Sequence, residues 1–356
     1  MKRKMIMTIT LAQYISQMQQ YPALIVTTIL TLGVILVNGW TDAPNAIATC
    51  VSTRSIKPKP AILMAAACNF IGLVVMTAIS PKVAETIYNM VDFGGNTSDA
   101  LVALCAALVA IVVWATAASY FGIPTSESHA LIAGLSGAAI AVHGSFDGVN
   151  GGEWIKVLYG LVFSTILGFI AGYAVVKLVE RICKNMDRRK TEQFFRKGQI
   201  FSGAAMAFMH GAQDGQKFMG VFLLGMFLAQ GKAEMTAVAV PLWLMVLCAV
   251  TMGGGSAIGG EKIIKAVGMD MVKLQSYQGF AADLVAAGCI LLSTLTGVPV
   301  STTHTKTTAI MGVGASRNIK RVNWGVVKGM ILAWVFTFPG CGLLGFLMAK
   351  FFMMIF

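Results

Sequence analysis

The chain has 356 residues, of which 56% are hydrophobic and only 12% charged, and its mean hydropathy is +0.75. A soluble domain carries roughly a quarter charged residues, so this composition excludes one and points to an all-α membrane protein, multi-pass in the cell membrane. The net charge of +12 sits in short loops between apolar spans, which is a positive-inside pattern and not a nucleic-acid surface.

In chain order, the basic start Met1-Lys2-Arg3-Lys4 is followed by Gln13, Gln17, Gln19 and Gln20, which leave no clean signal-peptide core. The first apolar span runs from about Tyr21 to Thr53 and is interrupted by Asn38-Gly39-Trp40-Thr41-Asp42-Ala43-Pro44-Asn45. Spans near Pro60–Ser80 and Ala100–Phe121 follow. The polar string Gly122-Ile123-Pro124-Thr125-Ser126-Glu127-Ser128-His129 leads into a short apolar helix ending near Val142, then a long span from Glu153 to Cys183. The second half repeats this order. A span from Ile200 to Ala229 is interrupted by His210-Gly211-Ala212-Gln213-Asp214-Gly215-Gln216-Lys217. Spans near Ala237–Ile258 and Gly279–Leu295 precede Gly297-Val298-Pro299-Val300-Ser301-Thr302-Thr303-His304, which leads into Thr307–Gly314. A last span begins near Trp324.

The two halves carry the same motifs at nearly the same offset. Asp42 and Asp214 are 172 residues apart, while Pro124 and Pro299, Ser126 and Ser301, and His129 and His304 are each 175 apart. Such spacing indicates a duplication. Basic residues cluster at Arg54–Lys59, Lys177–Lys197, Lys262–Lys273 and Arg317–Arg321, whereas Asn89–Asp99 and His143–Glu153 contain no Lys or Arg. All four basic loops share one face only if each half crosses the membrane an odd number of times, so the second half is inverted. Lys2-Arg3-Lys4 is the one misfit. The expectation is a first repeat over residues 1–183, a basic cytoplasmic linker over 184–199 and an inverted repeat over 200–356, with about 10–12 transmembrane segments in all.

The polar strings carry the chemistry. Gly39 and Pro44 are expected to break the first span, and Gly211 and Gly215 the second. A broken helix presents N–H groups that suit an anion and carbonyls that, beside Asp42 and Asp214, suit a cation. A packing kink with satisfied carboxylates is the plainer alternative; the symmetric pair and the cost of burying charge argue against it. The hydroxyl strings after Pro124 and Pro299 read as helix-start anion nests, with simple capping as the alternative. Cys50, Cys68, Cys105, Cys183, Cys248, Cys289 and Cys341 form no CxxC and imply neither disulfides nor a metal site. No HExxH, nucleophile elbow or P-loop is present, so neither an enzyme nor an ATP-driven pump is expected. A channel would need a continuous pore with several weak sites.

These strings resemble those of the inorganic phosphate transporter family, a group of sodium- or proton-coupled symporters. The matching residues are Gly39–Asp42 with Asn45, Gly211–Asp214, Pro124–His129 and Pro299–His304. The resemblance spans nearly the whole chain. It implies an inverted-repeat secondary transporter with broken helices and re-entrant-type polar motifs, importing phosphate by alternating access with Na+ or H+ and no cofactor. The implied phosphate ligands are Thr41, Asn45, Thr125, Ser126, Ser128, Gln213, Ser301, Thr302 and Thr303. The implied cation ligands are Asp42, Asp214 and Asn38, and Glu127, His129 and His304 are candidate proton carriers. Asn69, Lys217 and Asp283 are candidate auxiliaries. His129 and His304 can equally serve as hydrogen-bonding residues at the helix starts. Three residues depart from the family pattern: Thr41 and Gln213 replace the Asn before each Asp, and Glu127 stands opposite Thr302. They leave sulfate or another oxyanion open as the substrate. A homodimer is also left open.

Overall fold

The computed structural model describes residues 9–94, 96–230, 240–258 and 261–356. The basic start and the first residues of the span expected at Ala237 lie outside these. A short amphipathic helix, α1 (Leu11–Gln20), is closed by a Thr10–Gln13 capping box. The first broken span follows as α2 (Pro22–Thr41) and α3 (Ala43–Ser52), parted at Asp42. Pro44 lies in the first turn of α3, where a missing N–H costs nothing. Next come α4 (Pro58–Ile79), the short α5 (Lys82–Tyr88), α6 (Thr97–Tyr120), α7 (Glu127–His143) and α8 (Gly151–Ile182). The second half comprises α9 (Arg188–Ala229), α10 (Leu242–Ile258), α11 (Glu261–Lys265), α12 (Ser276–Thr296), α13 (Thr302–Ala315) and α14 (Trp324–Ile355).

One expectation needs correcting. The second string does not break its helix: α9 runs without interruption through Gly211 and Gly215. Unlike the first string, it contains no Pro. Its glycines serve close packing instead. A Cβ on Gly211 would lie 2.1 Å from the Asn69 carbonyl oxygen of α4, and one on Gly215 would lie 2.2 Å from Leu73. Residues 188–199, expected as linker, form the first turns of the same helix.

The duplication is visible in the local structure. Gly122 and Gly297 both take positive φ, +68° and +78°, a conformation that favours glycine. Ser126 caps α7 by accepting from the His129 N–H, and Ser301 caps α13 by accepting from the His304 N–H. Asn150 and Asn323 cap α8 and α14. The halves are interlocked, because α14 packs on α7 and α8 packs on α13. A Cβ on Gly137 of α7 would lie 2.0 Å from the Gly342 carbonyl oxygen of α14. One on Gly312 of α13 would lie 2.0 Å from the Phe169 carbonyl oxygen of α8.

Loop contacts carry the topology. The Asp92 N–H donates to the Gly148 carbonyl and the Asn150 N–H to the Met90 carbonyl. The chain before α6 and the chain after α7 therefore meet, and α6–α7 is a round trip that opens on the loops without Lys or Arg. In the second half the Asn323 N–H donates to the Met271 carbonyl, so α12–α13 opens on the basic loops. Among the described residues, six helices are long and apolar enough to cross a bilayer unaided: α2–α3 counted as one, α4, α6, α8, α12 and α14. The 17-residue α7 and 14-residue α13 are shorter. They are almost wholly buried among other helices, which supply the apolar surroundings that lipid would otherwise give.

Two hydrophobic cores form, and each mixes both halves. One gathers α2, α6, α7, the C-terminal part of α9, α10 and the end of α14. The other gathers α3, the middle of α9, α12, α13 and the start of α14. The break at Asp42 falls where the chain leaves the first core for the second.

Candidate functional site

All four polar strings converge between these cores. Asp42 lies at the α2–α3 break, Asp214 in the middle of α9, and the first turns of α7 and α13 face them. Asp42 meets the second half's hydroxyls, and Asp214 is joined to the first half's Ser128 through Lys217. The Thr303 hydroxyl donates to Asp42 Oδ1, which also accepts from Asn45 Nδ2 at 2.6 Å. Asn45 Nδ2 lies 3.2 Å from Thr303 Oγ1 as well. Lys217 Nζ donates to Asp214 Oδ1 at 2.6 Å, to the Ser128 hydroxyl and to the Val300 carbonyl at 2.6 Å. Thr302 joins the two sides, its Oγ1 lying 3.3 Å from Asp42 Oδ2 and 3.1 Å from Asp214 Oδ2. Asn38 Nδ2 reaches to 3.5 Å from Asp214 Oδ2. Asp42, Asp214, Thr302 and Lys217 are each at most 2% exposed, so the cluster is closed to both membrane faces.

His210 completes the cluster. The Ser256 hydroxyl donates to the Met252 carbonyl, and Asn69 Nδ2 donates to Ser256. That order leaves Asn69 Oδ1 to accept from His210 Nδ1 at 3.2 Å. His210 Nε2 then faces Asp214 Oδ2 at 3.4 Å. One donor atom each from Asp42, His210 and Asp214 lie within 4.8 Å of one another, a group able to hold a cation. Asn69 therefore acts one layer back, by setting the His210 ring.

Other expected residues occupy different positions. Gln213 Nε2 donates to the Val298 carbonyl at 3.0 Å, and its Oε1 accepts from Thr294 at 2.6 Å. It holds the α12–α13 turn in this conformation. Thr125 is half-buried in the extended stretch before α7. Thr41 bonds the Val37 carbonyl at 2.7 Å and also meets Glu127 Oε1. Glu127 Oε2 is buried without a partner. His129 and His304 pack ring to ring, with centroids 4.6 Å apart, and lie against Phe338 and Trp334. All four of their ring nitrogens are buried without hydrogen-bond partners, so only their backbone N–H groups serve the helix starts.

Asp283 belongs to a separate cluster. It pairs with Lys306 and accepts from Thr49 at 2.8 Å and from Gln199 at 2.6 Å. Sequence reasoning missed this pairing. The signal was a lysine followed by apolar residues of a short helix, but its partner lies 23 positions away on another helix. It also missed His210 as the group between Asn69 and Asp214, although the i,i+4 spacing of His210 and Asp214 was visible.

A cavity of about 480 Å³ opens on the face without basic loops and includes Asp92, Asp147, Asn150 and Glu153 in its lining. Another, of about 690 Å³, opens on the basic face beside Arg188 and Arg317. Neither is lined by the central cluster.

Comparison with known proteins adds an independent line. The pattern of the Phosphate transporter family matches residues 38–345. A "Probable low-affinity inorganic phosphate transporter" of Bacillus subtilis (strain 168) is 38% identical over 321 residues, covering 90% of this chain and 94% of that protein. A protein of the same description from Rhizobium meliloti (strain 1021) is 35% identical over 325 residues, covering 91% and 95%. The solved structure titled "The sodium-dependent phosphate transporter" is 23% identical, covers 94% of this chain and 100% of its own, and superposes with a TM-score of 0.85. At that identity the likeness establishes the shared fold.

Proposed function

This chain belongs to the phosphate transporter family, and we propose that it imports inorganic phosphate together with a coupling cation by alternating access. It is a multi-pass membrane transporter and not an enzyme. The observation that carries the finer reading is the position of Thr302, whose hydroxyl lies between Asp42 and Asp214 at the start of α13. Hydroxyls and first-turn N–H groups of α7 and α13 offer an oxyanion the donors that water would give it. Phosphate entering here meets two carboxylates, Asp42 and Asp214, beside the Glu127 carboxyl, against one ammonium, Lys217. Each like-charge pair at about 4 Å costs roughly 4 kcal/mol at an effective dielectric constant of 20. A cation seated at Asp42 removes that penalty, which makes the binding of anion and cation mutually dependent. The break at Asp42, between two cores, is the hinge about which the cores rock.

The donors bear on the choice of coupling ion. Beside Asp42 the Asn45 amide oxygen and the Thr302 and Thr303 hydroxyls are oxygen donors, which suit sodium, with His210 the one nitrogen in the cation group, and the fold neighbour is described as sodium-dependent. A proton reading is favoured by Glu127. The Thr41 hydroxyl has one proton and two acceptors, the Val37 carbonyl and Glu127 Oε1, so the pair is complete only when the Glu127 carboxyl brings a proton of its own.

Radiolabelled phosphate uptake into proteoliposomes, under separate sodium and proton gradients and with sulfate as competitor, tests the proposal. Uptake driven by either gradient and resistant to sulfate is the expected result. Sulfate transport without phosphate transport would sink the substrate assignment.

A further inference from the structure

The two carboxylate strings are near-copies with one exchange. Three residues after Asp42 stands Asn45, and three residues after Asp214 stands Lys217. Their surroundings keep the symmetry. Asn45 Nδ2 donates to Asp42 Oδ1 and Thr303 Oγ1, while Lys217 Nζ donates to Asp214 Oδ1 and Ser128 Oγ. Thr303 and Ser128 are themselves 175 residues apart, as are the Ser caps. The outcome for charge differs. Lys217 has a third acceptor in the Val300 carbonyl, so its three ammonium protons are all used. Asn45 leaves its Oδ1 buried with no donor among the described residues, beside a carboxylate that none of the described lysines or arginines contacts. The first seat thus offers a carboxylate, an amide oxygen and hydroxyl oxygens, the donors a hard cation takes. The second already contains a cation.

We propose that the Lys217 ammonium is a built-in cation that permanently fills the second of two pseudo-symmetric seats, leaving the Asp42–Asn45–Thr303 seat as the one that takes an exchangeable cation. This rests on the reading of the cluster as a joint phosphate and cation site. Because Lys217 is tethered to α9, its charge stabilises phosphate without leaving with it. Each phosphate therefore travels with one coupling cation fewer than two open seats would carry.

The test compares wild type with Lys217→Asn, which copies the first seat into the second. Reversal potentials of labelled phosphate flux in proteoliposomes, under sodium-only and proton-only gradients, give the coupling ratio. Wild type should show a non-cooperative dependence on the driving cation. Lys217→Asn should gain a cation per phosphate and a sigmoidal dependence. A sigmoidal wild type, or an unchanged ratio in a transporting Lys217→Asn, overturns the proposal. If Lys217→Asn fails to fold, Asn45→Lys puts an ammonium in both seats. Its uptake should no longer respond to either gradient, and a wild-type response overturns the proposal. Absence of phosphate transport by the wild type would defeat the transport reading instead. The seats would then be counted by sodium-dependent thermal stabilisation, with Lys217→Asn expected to gain more from equal sodium; equal gains overturn the proposal.

Discussion

Replacing Thr302 by Val keeps the shape of the first turn of α13 and removes one oxygen. That oxygen lies 3.3 Å from Asp42 Oδ2 and 3.1 Å from Asp214 Oδ2, yet a hydroxyl has one proton to donate. A single hydrogen bond to a charged group is therefore lost at a time, worth about 1.5–3 kcal/mol. If that bond is formed in the loaded state, the affinity for phosphate and its cation falls by about ten- to a hundredfold, since 1.4 kcal/mol is tenfold. The fold should persist, because the cap of α13 comes from Ser301 and not from Thr302. The assay is the phosphate KM and the half-saturating cation concentration in proteoliposomes, with Thr302→Ser expected to restore both. Thr302→Val protein that is correctly inserted yet indistinguishable from wild type in both constants would refute the placement of this hydroxyl in the site.

Further expectations separate the two carboxylates and the packing around them. Asp214→Asn leaves the fully buried Lys217 without its counter-charge, which costs about 3–5 kcal/mol, so its melting temperature should fall markedly. Asp42→Asn removes a charge that has no lysine or arginine partner among the described residues, so it should melt near wild type while losing cation-driven uptake; equal destabilisation of the two would contradict this assignment. Gly211→Ala places a Cβ 2.1 Å from the Asn69 carbonyl oxygen. Backbone cannot yield as a side chain does, so the change should cost about 1–3 kcal/mol and reduce uptake by displacing Asn69 from His210. In the separate cluster, Lys306→Met alone should destabilise by about 3–5 kcal/mol, and adding Asp283→Leu should recover most of it. Additive losses in melting temperature would show that the two residues do not act as a pair.

Much of the site was legible because duplication wrote it twice. The common offset aligned Ser126 with Ser301 and His129 with His304, and charge placed the loops. The break at Asp42 was legible from Pro44, which cannot continue a helix without losing a hydrogen bond. Gly211 and Gly215 misled, since glycine in a buried helix serves close approach as readily as flexibility. Here α4 presses its backbone against Gly211 and Leu73 against Gly215. The interlocking of α8 with α13 and α14 with α7 was not legible, because periodicity within a helix does not say which distant helix it meets. The same limit hid Lys306 with Asp283 and the chain from Ser256 through Asn69 to His210. Gln213 illustrates a different gap: its position in the string was clear, but its amide turns to Val298 and Thr294.

The central claim is that the paired carboxylates and hydroxyls form one site where phosphate and cation bind together. Equilibrium binding of labelled phosphate to purified protein, with and without sodium and across pH, tests it most directly in wild type and in the Asp42→Asn, Asp214→Asn double variant. The account predicts phosphate binding that strengthens with the coupling cation in wild type and loses that dependence in the double variant. Cation-dependent phosphate binding that survives both substitutions in a folded protein would contradict it.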